Sequence, residues 1–140
     1  MIFLDTSVLI AVAQKNHEHH APSRRLWDRC SRKTSAASVH TLAELYSALT
    51  SMPPVFRLRP LDAVLAIETF LQRLTPIELN SDDYLETFRR AAPLGLSGGI
   101  IYDALHLACA RKCRAKQIFT LNLQHFRTLA PDLAGRIVQP

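Results

Sequence analysis

Hydrophobic residues enter this chain in short bursts, most of them followed by longer runs at helical spacing. Ile2, Phe3 and Leu4 are too few for a helix and read as a buried strand. Asp5 or Thr6 then caps a helix that continues to about Gln14. The stretch KNHEHHAP breaks the periodicity and reads as a loop. From Ser23, SRRLWDRCSRK is amphipathic, with Leu26, Trp27 and Cys30 as its inner face. TSAASV is a second strand with small side chains, and HTLAELYSALTSM a helix that Pro53 and Pro54 stop. LDAVLAIETFLQRL is strongly periodic, and TPIEL supplies a further short strand. SDDYLETFRRAAPLG opens on capping residues and closes at Pro93 and Gly95. SGGIIYDALHLACARKC is an almost wholly apolar helix, followed by a strand at QIFTL. IVQP is a last, edge strand, because Pro140 cannot donate to a ladder.

Strands alternating with helices predict an α/β fold, a small parallel sheet covered on both faces. With 140 residues and no internal repeat, a single domain over residues 1–140 is expected. The stretch from Met52 to Pro60, with three prolines, is a loop too short to separate domains. No apolar run approaches the ~18 residues that span a bilayer, and the first residues lack the basic lead and long apolar stretch of a signal peptide. No membrane association and a cytoplasmic location are therefore expected. Cys30, Cys109 and Cys113 fall in helical segments and read as free thiols of a reducing compartment.

The net charge of +5 admits a polyanionic partner but also serves solubility. Arg24, Arg25, Arg29, Arg32 and Lys33 are either a solvated face or a surface that tracks phosphates beside an active site. His17, His19 and His20 lack a fixed ligand spacing on one element and read as a solvated loop.

The candidate chemistry lies in carboxylates at strand ends, where open α/β sheets gather ligands. Asp5 follows the first strand and is either a helix cap or one wall of a metal site. Glu44 follows Thr41 by three residues, the spacing of a capping box, and the same residue is available as a ligand. Asp103 sits among Ile100, Ile101, Tyr102, Ala104, Leu105 and Leu107. If its helix starts at Ser97, Asp103 lies past the first turn and caps nothing. A buried, unpaired carboxylate costs several kcal/mol, so it needs a cation, donors or water. No basic residue lies within one turn except His106, three positions on. Thr120 and Asn122 end another strand, where they hold a ligand oxygen or simply make a turn. Oxygen-rich sites of this kind suit Mg²⁺ or Mn²⁺.

FLDTSVLIA, LAELYSAL, GIIYDALHLACA and TLNLQHF, in this order over nearly the whole chain, resemble a PIN-domain ribonuclease, most closely a VapC-type toxin of a toxin–antitoxin pair. The resemblance implies that Asp5, Glu44 and Asp103 are the acidic metal-binding and catalytic residues, with Mg²⁺ or Mn²⁺ as cofactor. It implies that Thr6 or Ser7 steadies the first aspartate. The last motif of the family frequently carries another aspartate, and Asn122 and Gln124 stand in that region here. The family's fold is a small parallel sheet with helices on both faces. Its members cut single-stranded regions of RNA, often structured RNAs such as tRNA. They commonly form homodimers and are inhibited by a small VapB-type antitoxin.

Two other readings use the same residues. A hydrolase with Asp5 as covalent phosphate acceptor usually shows a second aspartate two positions on, where this chain has Ser7. A PIN-like domain that binds RNA or protein without efficient cleavage would account for Asn122.

Overall fold

The structure, a computed structural model, describes residues 1–140. Five strands, β1 (Ile2–Leu4), β2 (Ser35–Ser38), β3 (Thr75–Ile77), β4 (Gln117–Phe119) and β5 (Ile137–Val138), form one sheet in the order β3-β2-β1-β4-β5. Every pairing is parallel. The helices are α1 (Thr6–Ala13), α2 (His20–Asp28), α3 (His40–Ser51), α4 (Pro60–Leu71), α5 (Ser81–Ala91), α6 (Ile100–Lys112) and α7 (Leu123–Leu129). None is long and apolar enough to cross a membrane.

Side chains alternate across the strands, and this splits the core into two layers. Leu4 and Ala37 join Val8, Leu9, Trp27, Leu45, Leu49 and Phe70 on one face. Phe3, Ala36, Ile118 and Ile137 join Leu107, Cys109 and Phe126 on the other. The expected parallel sheet with helices on both faces is therefore what the chain forms. Pro76 sits on β3, an edge strand, where a missing N–H costs no ladder bond.

The chain runs outward from β1 to β2 and β3, then returns to lay β4 on the other side of β1. The connections leaving β1 and β4 thus diverge, and a crevice opens at the carboxyl ends of these two strands, the usual ligand position in such sheets.

Two expected helix starts move, and one expected cap does not form. α2 begins at His20 rather than Ser23, with Pro22 in its first turn, where no N–H is needed. α3 is already helical at Val39 (φ −57°, ψ −35°), so Thr41 lies inside the helix and forms no capping box with Glu44. The capping box of this chain belongs to α5, where Asn80 and Asp83 each accept the other's backbone N–H at 2.9 Å. α6 starts at Ile100, not Ser97, because Gly98 takes a left-handed conformation (φ +69°) that interrupts a helix. Cys30 lies just past α2 rather than within a helix. The three cysteines are free, as expected.

Candidate active site

Asp5 ends β1 and caps α1, so its backbone changes from extended to helical there (φ −76°, ψ 157°). Its side chain is 6% exposed. Asp5 Oδ2 accepts hydrogen bonds from Ser7 Oγ at 2.6 Å and Thr120 Oγ1 at 2.9 Å. Ser7 Oγ accepts in turn from the backbone N–H of Leu121 at 3.0 Å, and Thr120 Oγ1 from that of Asn122 at 2.9 Å. These hydroxyls tie the end of β1 to the end of β4. The cap and the crevice wall are therefore one side chain, and the two readings of Asp5 do not compete.

Glu44 projects from α3. Its Oε2 accepts from the Thr6 hydroxyl and lies 2.8 Å from His106 Nε2. Thr41, which would have paired with Glu44 in a capping box, is 1% exposed and brings its hydroxyl 3.3 Å from that of Thr6. Asp103 reaches the crevice from the first turn of α6, where the helix N-terminus favours negative charge. Its side chain is 22% exposed, so it is partly rather than fully buried. Asn122 Nδ2 donates to Asp103 Oδ2 at 3.2 Å and lies 2.8 Å from His125 Nδ1.

All three carboxylates line one depression of about 560 Å³ together with Thr6, Ser7, His40, Tyr102, His106 and Asn122. Each commits one oxygen to protein donors. Asp5 Oδ1 and Glu44 Oε1 accept no hydrogen bond; His106 Nε2 is 3.9 Å from the first and His40 Nε2 3.7 Å from the second. Asp103 Oδ1 accepts no hydrogen bond, since Asn122 takes Oδ2.

The electrostatics separate the acids. Burial and the negative charge of Asp5 raise the pKa of Asp103 above the ordinary carboxylate value, against the opposing effects of His106 and His125. Burial also acts to raise that of Glu44, but the hydrogen bond and charge of His106 and the Thr6 hydroxyl outweigh it and hold it low. His106 is 1% exposed; burial disfavours its charge, yet Glu44, Asp5 and Asp103 raise its pKa on balance. Its Nδ1 is buried without a partner, a cost that the doubly protonated ring would bear.

No three His, Cys, Asp or Glu side chains stand close enough, as arranged here, to hold a metal ion. The chemistry of the donors nevertheless fits a hard divalent cation: oxygen ligands, one free oxygen on each acid, and mutual repulsion that a cation relieves.

Other expectations fall away from this site. Arg32 and Lys33 precede β2, where the Arg32 carbonyl accepts from Thr75 Oγ1 at the start of β3. They lie at the amino edge of the sheet, opposite the carboxylates, and none of the five basic residues from Arg24 to Lys33 lines the depression. Of the three histidines, His20 opens α2 with Nδ1 2.8 Å from the Ala11 carbonyl, and none lines the depression. His40, Tyr102, His106 and His125 were not among the candidate site residues. Helical spacing alone could have found three of them: His40 is four residues before Glu44, His106 three after Asp103 and His125 three after Asn122.

The PIN domain family model matches residues 2–130. Ribonuclease VapC27 of Mycobacterium tuberculosis is 36% identical over 114 residues, 81% of this chain and 79% of the relative. Ribonuclease VapC40 of the same organism is 32% identical over 131 residues, covering 91% of each chain. Among solved structures, Mycobacterium tuberculosis VapC20, a toxin that cleaves the sarcin-ricin loop, superposes with a TM-score of 0.76 at 20% identity, covering 100% of both chains. VapBC2 of Rickettsia felis, bound to a DNA fragment from its promoter, gives 0.63 at 23% identity, covering 91% of this chain and 92% of that one.

Proposed function

The chain belongs to the PIN-domain family, and from that premise we propose that it is a divalent-metal-dependent endoribonuclease, the toxin of a VapBC-type toxin–antitoxin pair. The observation that carries this reading is the set of three acids from separate elements, each held through one oxygen and free at the other. The named ribonucleases among its relatives support it.

Asp5, Glu44 and Asp103 would hold Mg²⁺ or Mn²⁺ through their free oxygens. When bound, such an ion polarises the scissile phosphate, activates a water and stabilises the leaving oxygen. Ser7 and Thr120 fix the orientation of Asp5, and Asn122 that of Asp103. His106 and Thr6 do the same for Glu44, so His106 is a positioning residue. Thr6, Ser7, Thr120 and Asn122 therefore support the acids rather than act on RNA. The substrate is a single-stranded region of RNA, such as a tRNA loop, and the chain works as a homodimer. Its antitoxin brings a basic side chain to the same acids and so competes with the cation.

A second reading, an RNA- or protein-binding domain with weakened catalysis, draws on Asn122, an amide where the family frequently has an acid. One experiment separates them. Purified chain, free of any partner, is incubated with single-stranded RNA in Mn²⁺, in excess EDTA, and after Mn²⁺ is restored. Cleavage that stops with EDTA and returns with Mn²⁺ is expected. Binding without cleavage in Mn²⁺ would support the second reading, and cleavage indifferent to EDTA would remove the cation from the account.

A further inference from the structure

His40 and Tyr102 have no task in the arrangement described so far, yet both line the depression that holds the acids. They come from different helices. His40 lies one turn before Glu44 on α3, and Tyr102 directly precedes Asp103 on α6. Their rings stack nearly parallel, with centroids 4.9 Å apart and planes at 17°. The buried ring of His106 is also near His40, tilted at 57° with centroids 6.1 Å apart. Of the stacked pair, Tyr102 is the outer ring, 46% exposed.

We propose that Tyr102, backed by His40, is a stacking platform for an unpaired nucleobase beside the bond to be cut. This rests on the ribonuclease reading and names how the substrate is gripped. The acids recognise only phosphate and cation, and no residue of the basic cluster lines the depression. An exposed aromatic ring adjacent in sequence to Asp103 supplies what they lack. Any base has a π-face, so such a platform tolerates sequence while requiring a base that has left its helical stack. A depression of about 560 Å³ is of the size that admits a small organic ligand such as a nucleotide. Base-paired RNA keeps its bases stacked on one another and gains nothing here. The platform thus selects loops and single strands without reading sequence.

The test is a double-mutant cycle between protein and RNA. The substrate is a single-stranded oligoribonucleotide with one cleavage site, compared with two derivatives lacking the base on the 5′ or 3′ side of that bond. Single-turnover cleavage in Mn²⁺ is measured for wild type, Tyr102→Phe, Tyr102→Leu and Tyr102→Ala. Removal of one flanking base should slow wild type and Tyr102→Phe about tenfold or more, the usual contribution of a base–aromatic stack. The same removal should change Tyr102→Ala and Tyr102→Leu less than about twofold. If Tyr102→Ala slows intact and abasic RNA equally, the ring merely packs α3 against α6 and the proposal fails. It fails too if Tyr102→Leu retains the wild-type sensitivity to the missing base. If wild type does not cleave, the ribonuclease reading falls separately. The same cycle is then read from fluorescence anisotropy of the labelled oligonucleotides in Ca²⁺, where coupling between ring and base upholds the platform and its absence overturns it.

Discussion

Asp103 and Glu44 face the same depression under opposite electrostatic conditions, and their neutral analogues should differ accordingly. The folded pKa of Asp103 is raised, so its ionised form costs stability at neutral pH. Asp103→Asn keeps an acceptor for Asn122 while removing that cost. The metal-free variant should melt roughly 3 °C above wild type, about 1 kcal/mol. The folded pKa of Glu44 is lowered. Its charge therefore contributes stability that is present above the unfolded value and lost as pH falls through the folded one. Glu44→Gln weakens the charged hydrogen bonds with Thr6 and His106 and should cost about 1 kcal/mol at pH 7. Metal-free thermal melts of both variants check this, and a shift of the same sign in both would contradict it. Glu44 was legible in the sequence only as an ambiguity, because Thr41 stands at capping-box spacing. The true partners, Thr6 and His106, lie 38 and 62 residues away and only the tertiary fold brings them near. Asp5 was easier to read, since a carboxylate between a short strand and a helix serves both cap and crevice.

At the scale of elements, Asp83 joins two helices. It completes the capping box of α5 with Asn80 and accepts from Lys112 Nζ, at the end of α6, at 2.6 Å. Lys112, then the backbone N–H of Asn80, hold its carboxyl below the usual range. A depressed acid contributes stability above its unfolded pKa and loses it as pH falls through the folded value. Wild type should thus be more stable than Asp83→Asn at pH 7, and the gap should close as pH drops below the ordinary value of 3.8. Melting curves from pH 7 to pH 3 follow the closure; a gap constant with pH would assign Asp83 no electrostatic role. The strands and helices were legible because each burst of apolar residues has a distinct period. Helix starts were less so. Gly98 in a left-handed turn moved the beginning of α6 past Ser97, and with it brought Asp103 into the first turn. Neither event leaves a mark in hydrophobic periodicity.

For the whole molecule, strand order decides which charges meet. The switch between β1 and β4 gathers the acids at one edge, while Arg32 and Lys33 are carried to the other. Three or four residues of strand separate these edges, at least about 10 Å. Arg32→Ala with Lys33→Ala should therefore leave single-turnover cleavage within about twofold of wild type, and weaken RNA binding only through its general salt-dependent part. A loss of tenfold or more would restore the cluster to the substrate path.

If the acids jointly hold the ion that cuts RNA, Asp103→Asn should move stability and activity apart. The measurement is single-turnover cleavage of one single-stranded RNA in saturating Mn²⁺ by wild type and by this variant. The expected result is a loss of about 100-fold or more in a protein that is no less stable than wild type without metal. Cleavage by Asp103→Asn at the wild-type rate would contradict it.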